Sequence, residues 1–223
     1  MAPSTKKPFD YTLALKAICC DICAKVPEFQ RYDPFKIGYS FMVARNKSTR
    51  YGCWASMTPL RFENGAMVCI KEAAVFRLNG LGQRIRVVDR VFYKTPEVKG
   101  PSGENLLYIF NVTAPRFLDL TITEKLETIM HELYHINPKF NGDVRRFPGR
   151  NWQHGNKAAY DAVAKKLARM WLASEPDPRL YEFLRYTTKE LQQLYGNIVG
   201  TKFTRIPLIK IAEEEALRLG WRG

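Results

Sequence analysis

The sequence lacks any long apolar run, which excludes an ordinary membrane-spanning helix. In its 223 residues, Lys16 and Asp21 interrupt the best apolar candidate well before the roughly 20 residues that a spanning helix needs. The amino-terminal stretch also has neither the uninterrupted apolar core nor the small-residue cleavage site of a signal peptide. We therefore expect a cytoplasmic protein without a membrane partner.

Cysteine is scarce, and the five cysteines have no disulfide-framework spacing. This pattern fits free thiols in a reducing compartment. Cys20 and Cys23 form a CxxC pair, which could hold a structural zinc ion together with Cys53 and Cys69. The second pair lacks ligand-like spacing, however, and the first has helical spacing among apolar residues. Buried free cysteines are the better interpretation of all five, Cys19, Cys20, Cys23, Cys53 and Cys69.

Acidic residues are outnumbered, with 22 against 35 basic residues and a net charge of +13. A field of this sign attracts polyanions, so DNA or another polyanion is a candidate partner. The basic residues are nevertheless spread along the chain without a dominant run, and an ordinary cationic surface is an equal alternative. With 46% hydrophobic and 26% charged residues, the chain belongs to the soluble globular class and can bury a sizeable core.

Histidine occurs only three times, and two of the three lie one helical turn apart in the segment TITEKLETIMHELYHI. Thr121 and Glu124 have the spacing of a capping box, which predicts where this helix begins. His131 and His135 share its polar face, where both imidazoles can reach one metal ion. Apolar side chains recur at three- and four-residue steps and predict a buried stripe of Leu126, Ile129, Met130, Leu133 and Ile136.

Glu132 completes an HExxH motif within this helix. A carboxylate in this position can take a proton from a metal-bound water without being a ligand itself. The alternative is a surface helix with two solvated histidines, but a capped helix whose apolar stripe faces away from both histidines favours a zinc site. We therefore predict Glu132 as the catalytic residue.

The third ligand should come from the loop that follows, because catalytic zinc takes three protein ligands and keeps one position open. The remaining histidine, His154, is separated from His135 by 18 residues. Bringing His154 back to the metal would explain the length of the loop over 137–156. Asp143 and Asp161 are the oxygen-donor alternatives, and a carboxylate that does not bind the metal could orient an imidazole instead.

Hydrolysis also needs an electrophile that stabilises charge on the carbonyl oxygen beside the zinc ion. Three nearby side chains are candidates: Tyr160, Arg145 and Arg146. Each has a structural alternative, since the two arginines could steady the loop and Tyr160 could pack on the helix.

The residues around this motif resemble those of a known family. HELYHI, followed by NPKFNGDVRRFPGRNWQHG and AAYD, is similar to a family of phage metallopeptidases and, more distantly, to the SprT-like proteases, which also pair HExxH with a downstream His-Gly. The likeness extends to WASMTPLRF at 54–62, PRFLDL at 115–120 and FLR at 183–185.

The resemblance implies a zincin-like fold and a zinc-dependent peptidase. It also implies an edge strand above the metal that receives the substrate backbone, since strand addition is a general way to bind an extended peptide. A phage-encoded chain would act in the cytoplasm of the host cell. Because SprT-like proteases act on proteins attached to DNA, nucleic-acid-associated proteins are candidate substrates.

The order of the elements predicts an α+β fold in which strands precede most helices. A first helix over 11–29 should bury Leu13, Ala17, Ile18, Ile22 and Val26. Strand patterns cover 36–43, 51–61, 67–76, 84–93 and 106–112. Helical patterns follow over 157–174, with Asn156 as the cap, over 180–195, and in a short stretch near the end.

We thus predict a flexible lead-in over 1–8, a single zincin-like domain over 9–211 and a C-terminal tail over 212–223. The domain should contain a small mixed sheet packed on the HExxH helix, with additional C-terminal helices. The predicted function is zinc-dependent hydrolysis of peptide bonds in proteins or peptides. The alternative is a non-catalytic, basic nucleic-acid-binding protein in which zinc only joins the loop to the helix.

Overall fold

The described part of the chain contains three small β-sheets and five α-helices, so the predicted α+β class is confirmed. These elements come from a computed structural model that describes residues 6–44, 52–149, 153–204 and 206–222. Most of the predicted lead-in, the first residue of the predicted strand over 51–61 and part of the loop over 137–156 lie outside the described residues. No described helix has the length and apolar character needed to cross a membrane.

The helices are α1 Tyr11–Lys25, α2 Ile122–Tyr134, α3 Lys157–Ala173, α4 Thr188–Tyr195 and α5 Glu213–Arg218. The strands are β1 Phe9–Asp10, β2 Ile37–Val43, β3 Ala55–Pro59, β4 Val68–Leu78, β5 Arg84–Lys94, β6 Tyr108–Ala114, β7 Ile198–Val199 and β8 Ile209–Ile211. The predicted helix over 180–195 is wrong in its first half, where two short 3-10 turns occur. Thr187 forms a capping box with Glu190 and so starts α4 only at Thr188.

The central sheet is small and mixed, with strand order β2-β6-β3. β2 runs parallel to β6, whereas β3 runs antiparallel to it and forms an edge. Every residue of β6 is buried because the strand lies in the middle of the sheet and is covered on both faces. Helix α2 packs against β3, as expected for a mixed sheet on the HExxH helix.

The two ends of α2 follow from its sequence. The Thr121 hydroxyl accepts the N–H of Glu124, and the Glu124 carboxylate accepts the N–H of Thr121, so the predicted capping box is confirmed. The predicted apolar stripe is confirmed too, since all five of its members are buried, Leu126, Ile129, Met130, Leu133 and Ile136. This packing fixes the rotation of the helix and therefore the direction of its polar face.

Helix α1 begins where predicted but ends at Lys25, and the prediction of its buried face is correct in part, since Ile18, Ile22 and Val26 are buried. Leu13 and Ala17 were expected inside, yet both are exposed, and Leu13 keeps 65% of its accessible surface. The buried stripe instead begins at Tyr11 and continues through Leu15, Ile18 and Ile22. Apolar residues surround much of this helix, so its periodicity alone allowed two registers, and packing against β2 selects this one.

The cysteines are all free, and the four-cysteine alternative is not formed among the described residues. Cys19 and Cys23 are buried in α1, as predicted. The prediction of burial is wrong for Cys53, which is exposed, and too strong for Cys20 and Cys69, which are half-buried. Cys53 lies two residues before β3, at the rim of the sheet.

A second core lies under the sheet β4-β5-β8, away from the central sheet. Val68, Phe92 and Ile211 form it together with Ala216 of α5. The Trp221 ring also packs edge-on against Phe92, with 4.8 Å between the centroids. The predicted tail over 212–223 therefore contains a short helix that is packed against this sheet.

Lys125 is a buried charge that the sequence did not reveal, and only 1% of its surface is exposed. Its Nζ donates hydrogen bonds of 2.8 Å to the carbonyls of Leu184 and Tyr186. These bonds join α2 to the segment that precedes α4. Burial lowers the pKa of the Lys125 ammonium from 10.5 to about 8, although the nearby carboxylates of Asp119 and Glu190 oppose the shift.

This lowered pKa predicts that the folded state gains stability above neutral pH. Between pH 8 and pH 10.5 the unfolded chain keeps the Lys125 proton while the folded chain has released it, so the free energy of unfolding should rise by at most about 3 kcal/mol. Urea unfolding across this range should show the rise for the wild type and not for Lys125→Met. The exposed Lys189→Met is the control, and parallel curves for both variants would contradict the prediction.

Candidate metal centre

Three imidazoles converge at the end of α2. His131 lies in its last turn, His135 is its C-cap, and His154 comes from the loop before α3. One nitrogen from each ring lies within 4.8 Å of the other two. Tetrahedral zinc with bonds of about 2.0–2.1 Å needs such nitrogens roughly 3.4 Å apart, so small side-chain rotations close the cluster. No other set of three possible ligands occurs in the described parts of the chain.

Asp161 is not part of the three-histidine cluster, but it contacts one of its members, His131, and orients that ring. Its Oδ1 lies 3.3 Å from Nδ1 of His131, which leaves Nε2 of that ring free to face the centre. Burial and the neighbouring His154 lower the pKa of His131, while Asp161 acts in the opposite direction. Carboxylate partners of this kind fix the tautomer and orientation of metal-binding imidazoles.

His135 is held in the neutral form that binds metals. Burial, followed by the nearby His131 and His154 and then Arg145, lowers the pKa of its imidazole to about 3. A neutral ring offers a lone pair without first releasing a proton. Near neutral pH, His135 is therefore in its ligand form before any metal binds.

Replacing Asp161 should weaken metal binding without removing a ligand. We expect Asp161→Asn to lower zinc affinity by about 10- to 100-fold, because the His131 ring loses the partner that orients it. Competition with a chromogenic chelator measures this change. Asp177→Asn removes an equal charge on the surface and should leave the affinity unchanged, and an unaltered affinity for Asp161→Asn would contradict this role.

Glu132 lies beside the histidines with only 7% of its surface exposed. Burial raises the pKa of its carboxyl to about 7, and a hydrogen bond from the backbone of Met57 opposes the shift. A general base works best when its pKa lies near the working pH. Met57 belongs to β3, so the edge strand and the carboxylate are in direct contact.

The ring of Tyr160 packs against all three imidazoles. Its ring centroid lies 4.7 Å from that of His131, 5.1 Å from that of His135 and 5.0 Å from that of His154. Its hydroxyl donates a 3.2 Å hydrogen bond to the His131 carbonyl. Carbonyls in the last turn of a helix lack intrahelical partners. The structural alternative for Tyr160, one of the three candidate electrophiles, is therefore what its contacts support, and burial raises the pKa of its phenol.

Arg145 also has a structural position. Its Nε donates a 2.8 Å hydrogen bond to the Tyr134 carbonyl, and its guanidinium lies 3.9 Å from the centroid of the Tyr134 ring. A terminal nitrogen also donates to the Glu28 carboxylate at 2.6 Å. These contacts place a cation at the carboxyl end of α2, where the helix dipole favours it. Arg145 thus steadies the helix end, and it also lines the smaller of the two clefts that contain the histidines.

Arg146 and Asp143 form a pair that shapes the loop. The guanidinium donates to both carboxylate oxygens, at 3.0 and 3.2 Å. The carboxylate of Asp143 is buried and also accepts the N–H groups of Asn64 and Val144. Asp143 therefore lies outside the ligand group, and its alternative role as a metal ligand is not supported.

Two clefts meet at the histidines. The larger is a cleft of ≈ 900 Å³ lined by Trp54, Glu127 and Lys165, and the smaller, of ≈ 520 Å³, is lined by Cys53, Pro59 and Arg146. Both share Ala55, His131, Glu132, Gln153 and His154. No ligand-like pattern marks residues 52–59 in the sequence, and only their place on an edge strand reveals that they border the centre.

Comparison with known proteins identifies no relative of this chain. No family model matches the chain, and no curated protein matches it. One solved structure, a TIR-STING receptor from C. gigas in complex with 2',3'-cGAMP, aligns with 10% identity and a TM-score of 0.14. The alignment covers 86% of this chain and 45% of that one, so the chain spans less than half of that protein. A TM-score of this size carries no argument about fold or function.

Proposed function

We propose that the chain is a zinc-dependent metallopeptidase with a zincin-like fold that hydrolyses peptide bonds in proteins or peptides. The observation that supports this most directly is the convergence of His131, His135 and His154 beside the buried carboxylate of Glu132. Three nitrogen donors suit zinc, whereas magnesium and calcium prefer oxygen ligands. Bound zinc would lower the pKa of a water molecule and polarise the carbonyl that the water attacks.

Each neighbouring residue then has a defined task. Glu132 accepts the proton of the attacking water and passes it to the leaving amine. Asp161 keeps the His131 ring in the tautomer that leaves Nε2 available. Tyr160 and Arg145 hold the end of α2, so the ligands keep their positions while the substrate enters.

Strand β3 is the proposed place of substrate binding. It forms an edge of the central sheet and borders both clefts, so an extended peptide added along it would pass the histidines. The resemblance to zincins implied such a strand but did not identify it. Contact between Met57 and Glu132 brings the added chain close to the proposed general base.

The alternative is a structural zinc site in a nucleic-acid-binding protein. Structural zinc sites are closed by four protein ligands, whereas catalytic sites leave one position open. The cluster has three candidate ligands in the described residues, and two clefts open onto it. This arrangement favours catalysis over a purely structural ion.

Metal removal and restoration test the proposal. The purified protein should bind one zinc ion per chain and cleave an unfolded, fluorescently labelled protein. Chelation should abolish cleavage, and one equivalent of zinc should restore it while magnesium should not. Stable zinc binding without cleavage of unfolded, peptide or DNA-bound substrates would instead support the structural-zinc alternative.

A further inference from the structure

Strands β4 and β5 form a long ribbon that extends beyond the second core. They pair from Val68 with Lys94 at the base to Leu78 with Arg84 at the tip. β8 pairs with β5 only over 92–94, so the rest of both ribbon edges is open among the described residues. We call residues 71–91 the hairpin arm. At about 3.3 Å per residue, its strands reach roughly 25 Å from the base.

The hairpin arm carries large apolar side chains in water. Leu81, in the connecting loop, is 82% exposed, and Phe76, Leu78 and Val88 are exposed along one face. A two-stranded hairpin is only marginally stable by itself. Clustered exposed apolar residues on such an element indicate a binding surface rather than a solvent-facing one.

The charge of the hairpin arm selects the kind of partner. Five basic and two acidic residues lie in it, and both acidic residues form ion pairs with arginines of the arm itself. Asp89 pairs with Arg77 and Glu72 pairs with Arg90. The remaining cations therefore carry the net positive charge of the arm, Lys71, Arg84 and Arg86.

Two of these cations lie on the apolar face. Arg84 stands opposite Leu78 and Arg86 opposite Phe76, so basic and apolar side chains alternate across the ribbon. The Arg84 guanidinium lies 4.2 Å from the centroid of the Phe76 ring, which holds it near the tip. Within the described chain, neither arginine has an acidic partner.

We propose that the hairpin arm binds duplex DNA, with Arg84 and Arg86 contacting phosphates and Leu81 contacting the bases. A two-stranded ribbon fits the major groove of B-form DNA, whereas the deep, narrow major groove of A-form RNA does not admit it. Arginine binds phosphate oxygens in a bidentate manner. In the major groove, an apolar side chain at the tip of such a ribbon can contact the methyl group of thymine.

This proposal does not depend on the proposed peptidase activity, because the arm belongs to a different sheet from the histidines. If both proposals hold, the arm would bring the catalytic centre to proteins that are attached to DNA. DNA binding is measured with and without a chelator, so loss of hydrolysis and loss of DNA binding are recorded separately.

Fluorescence anisotropy with a labelled duplex of about 25 base pairs tests the proposal at 50–200 mM salt. Arg84→Gln combined with Arg86→Gln should bind at least about tenfold more weakly, and the slope of log K against log salt should fall by about 2. The matched control is Lys166→Gln with Lys189→Gln, which removes the same charge elsewhere and should change affinity less than about twofold. Arg84→Lys with Arg86→Lys should keep the salt slope.

Leu81→Ser separates the apolar contact from the charge. It should weaken DNA binding without changing the salt slope, because every cation that faces a phosphate remains.

Three outcomes would overturn the proposal. The first is equal DNA affinity for the Arg84→Gln, Arg86→Gln variant and the Lys166→Gln, Lys189→Gln control. The second is a wild type that does not bind the duplex but binds phosphatidylserine vesicles, because the arm would then serve a lipid surface. The third is a wild type that does not bind the duplex but dimerises, while Leu81→Ser stays monomeric, because the arm would then bind a second copy.

Discussion

Glu132→Gln should reduce peptide hydrolysis by about 100- to 10,000-fold, the range that general acid–base catalysis contributes. The reason is that glutamine cannot accept the proton of the attacking water. It has nearly the same shape as glutamate and can still accept the hydrogen bond from the backbone of Met57. The variant should therefore keep its fold and its zinc content, and the loss should appear in kcat with little change in KM.

Glu127→Gln is the matched control for this experiment. Glu127 lies on the same helix and lines the larger cleft, where it is close to Lys165. The substitution removes the same charge about one turn from the centre, so hydrolysis should change only a few-fold. Zinc content and thermal unfolding are measured for both variants. A Glu132→Gln protein that holds zinc and hydrolyses at the wild-type rate would show that Glu132 is not the general base.

His154→Ala should lower zinc affinity by about 100- to 1,000-fold, as expected when roughly 10–16 kcal/mol of binding free energy is shared among four ligands. His154 is the proposed ligand that comes from outside the HExxH helix, and its loss would leave two imidazoles and a wider opening. Without metal, the variant and the wild type should unfold at similar temperatures. With excess zinc, only the wild type should gain several degrees, because stabilisation follows the ratio of zinc concentration to Kd.

Gln153→Ala is the control for the loop. Gln153 is the exposed neighbour of His154 and lines both clefts, so its truncation perturbs the same segment without removing a metal donor. It should bind zinc as the wild type does. If His154→Ala binds zinc normally whereas Asp161→Ala does not, the third ligand is the carboxylate, and the arrangement of Asp161 around His131 needs revision.

Local signals in the sequence were sufficient for the HExxH helix. Its capping box, its apolar stripe and the two histidines on the opposite face all lie within one segment, and each occurs as predicted. The scarcity of histidine then indicated His154, which the structure brings to the other two. Proximity could be predicted here because few alternative donors exist, rather than because any pattern encodes the loop.

Interactions between residues far apart in the sequence could not be predicted from such local signals. Lys125 occupies a helix position that is polar in the sequence, and only the carbonyls of Leu184 and Tyr186, about 60 residues later, make its burial tolerable. Arg145 and Tyr160 were candidate electrophiles with a structural alternative, and in the structure both donate hydrogen bonds to backbone carbonyls at the end of α2. A side chain with several donors or faces fits many partners, and tertiary packing decides among them.

The pairing of strands into sheets could not be predicted from the sequence either. The positions of most strands were predicted from alternation and turns, but their division into three sheets depends on contacts across the whole chain. The pattern of β4 and β5 therefore indicated two strands without showing that they project as an arm. The zincin-like arrangement stays a prediction, whereas the mixed sheet against α2 is observed.

If the chain is the peptidase proposed above, the unequal sizes of the two clefts that meet at the histidines have a consequence for cleavage preference. A polypeptide lying along β3 would pass both clefts, which differ in volume, ≈ 900 and ≈ 520 Å³. Bulky side chains would be accepted beside Trp54 and Lys165, and smaller ones beside Cys53 and Pro59. Sequencing the fragments of a denatured protein digest would reveal this asymmetry as a size bias near the cut.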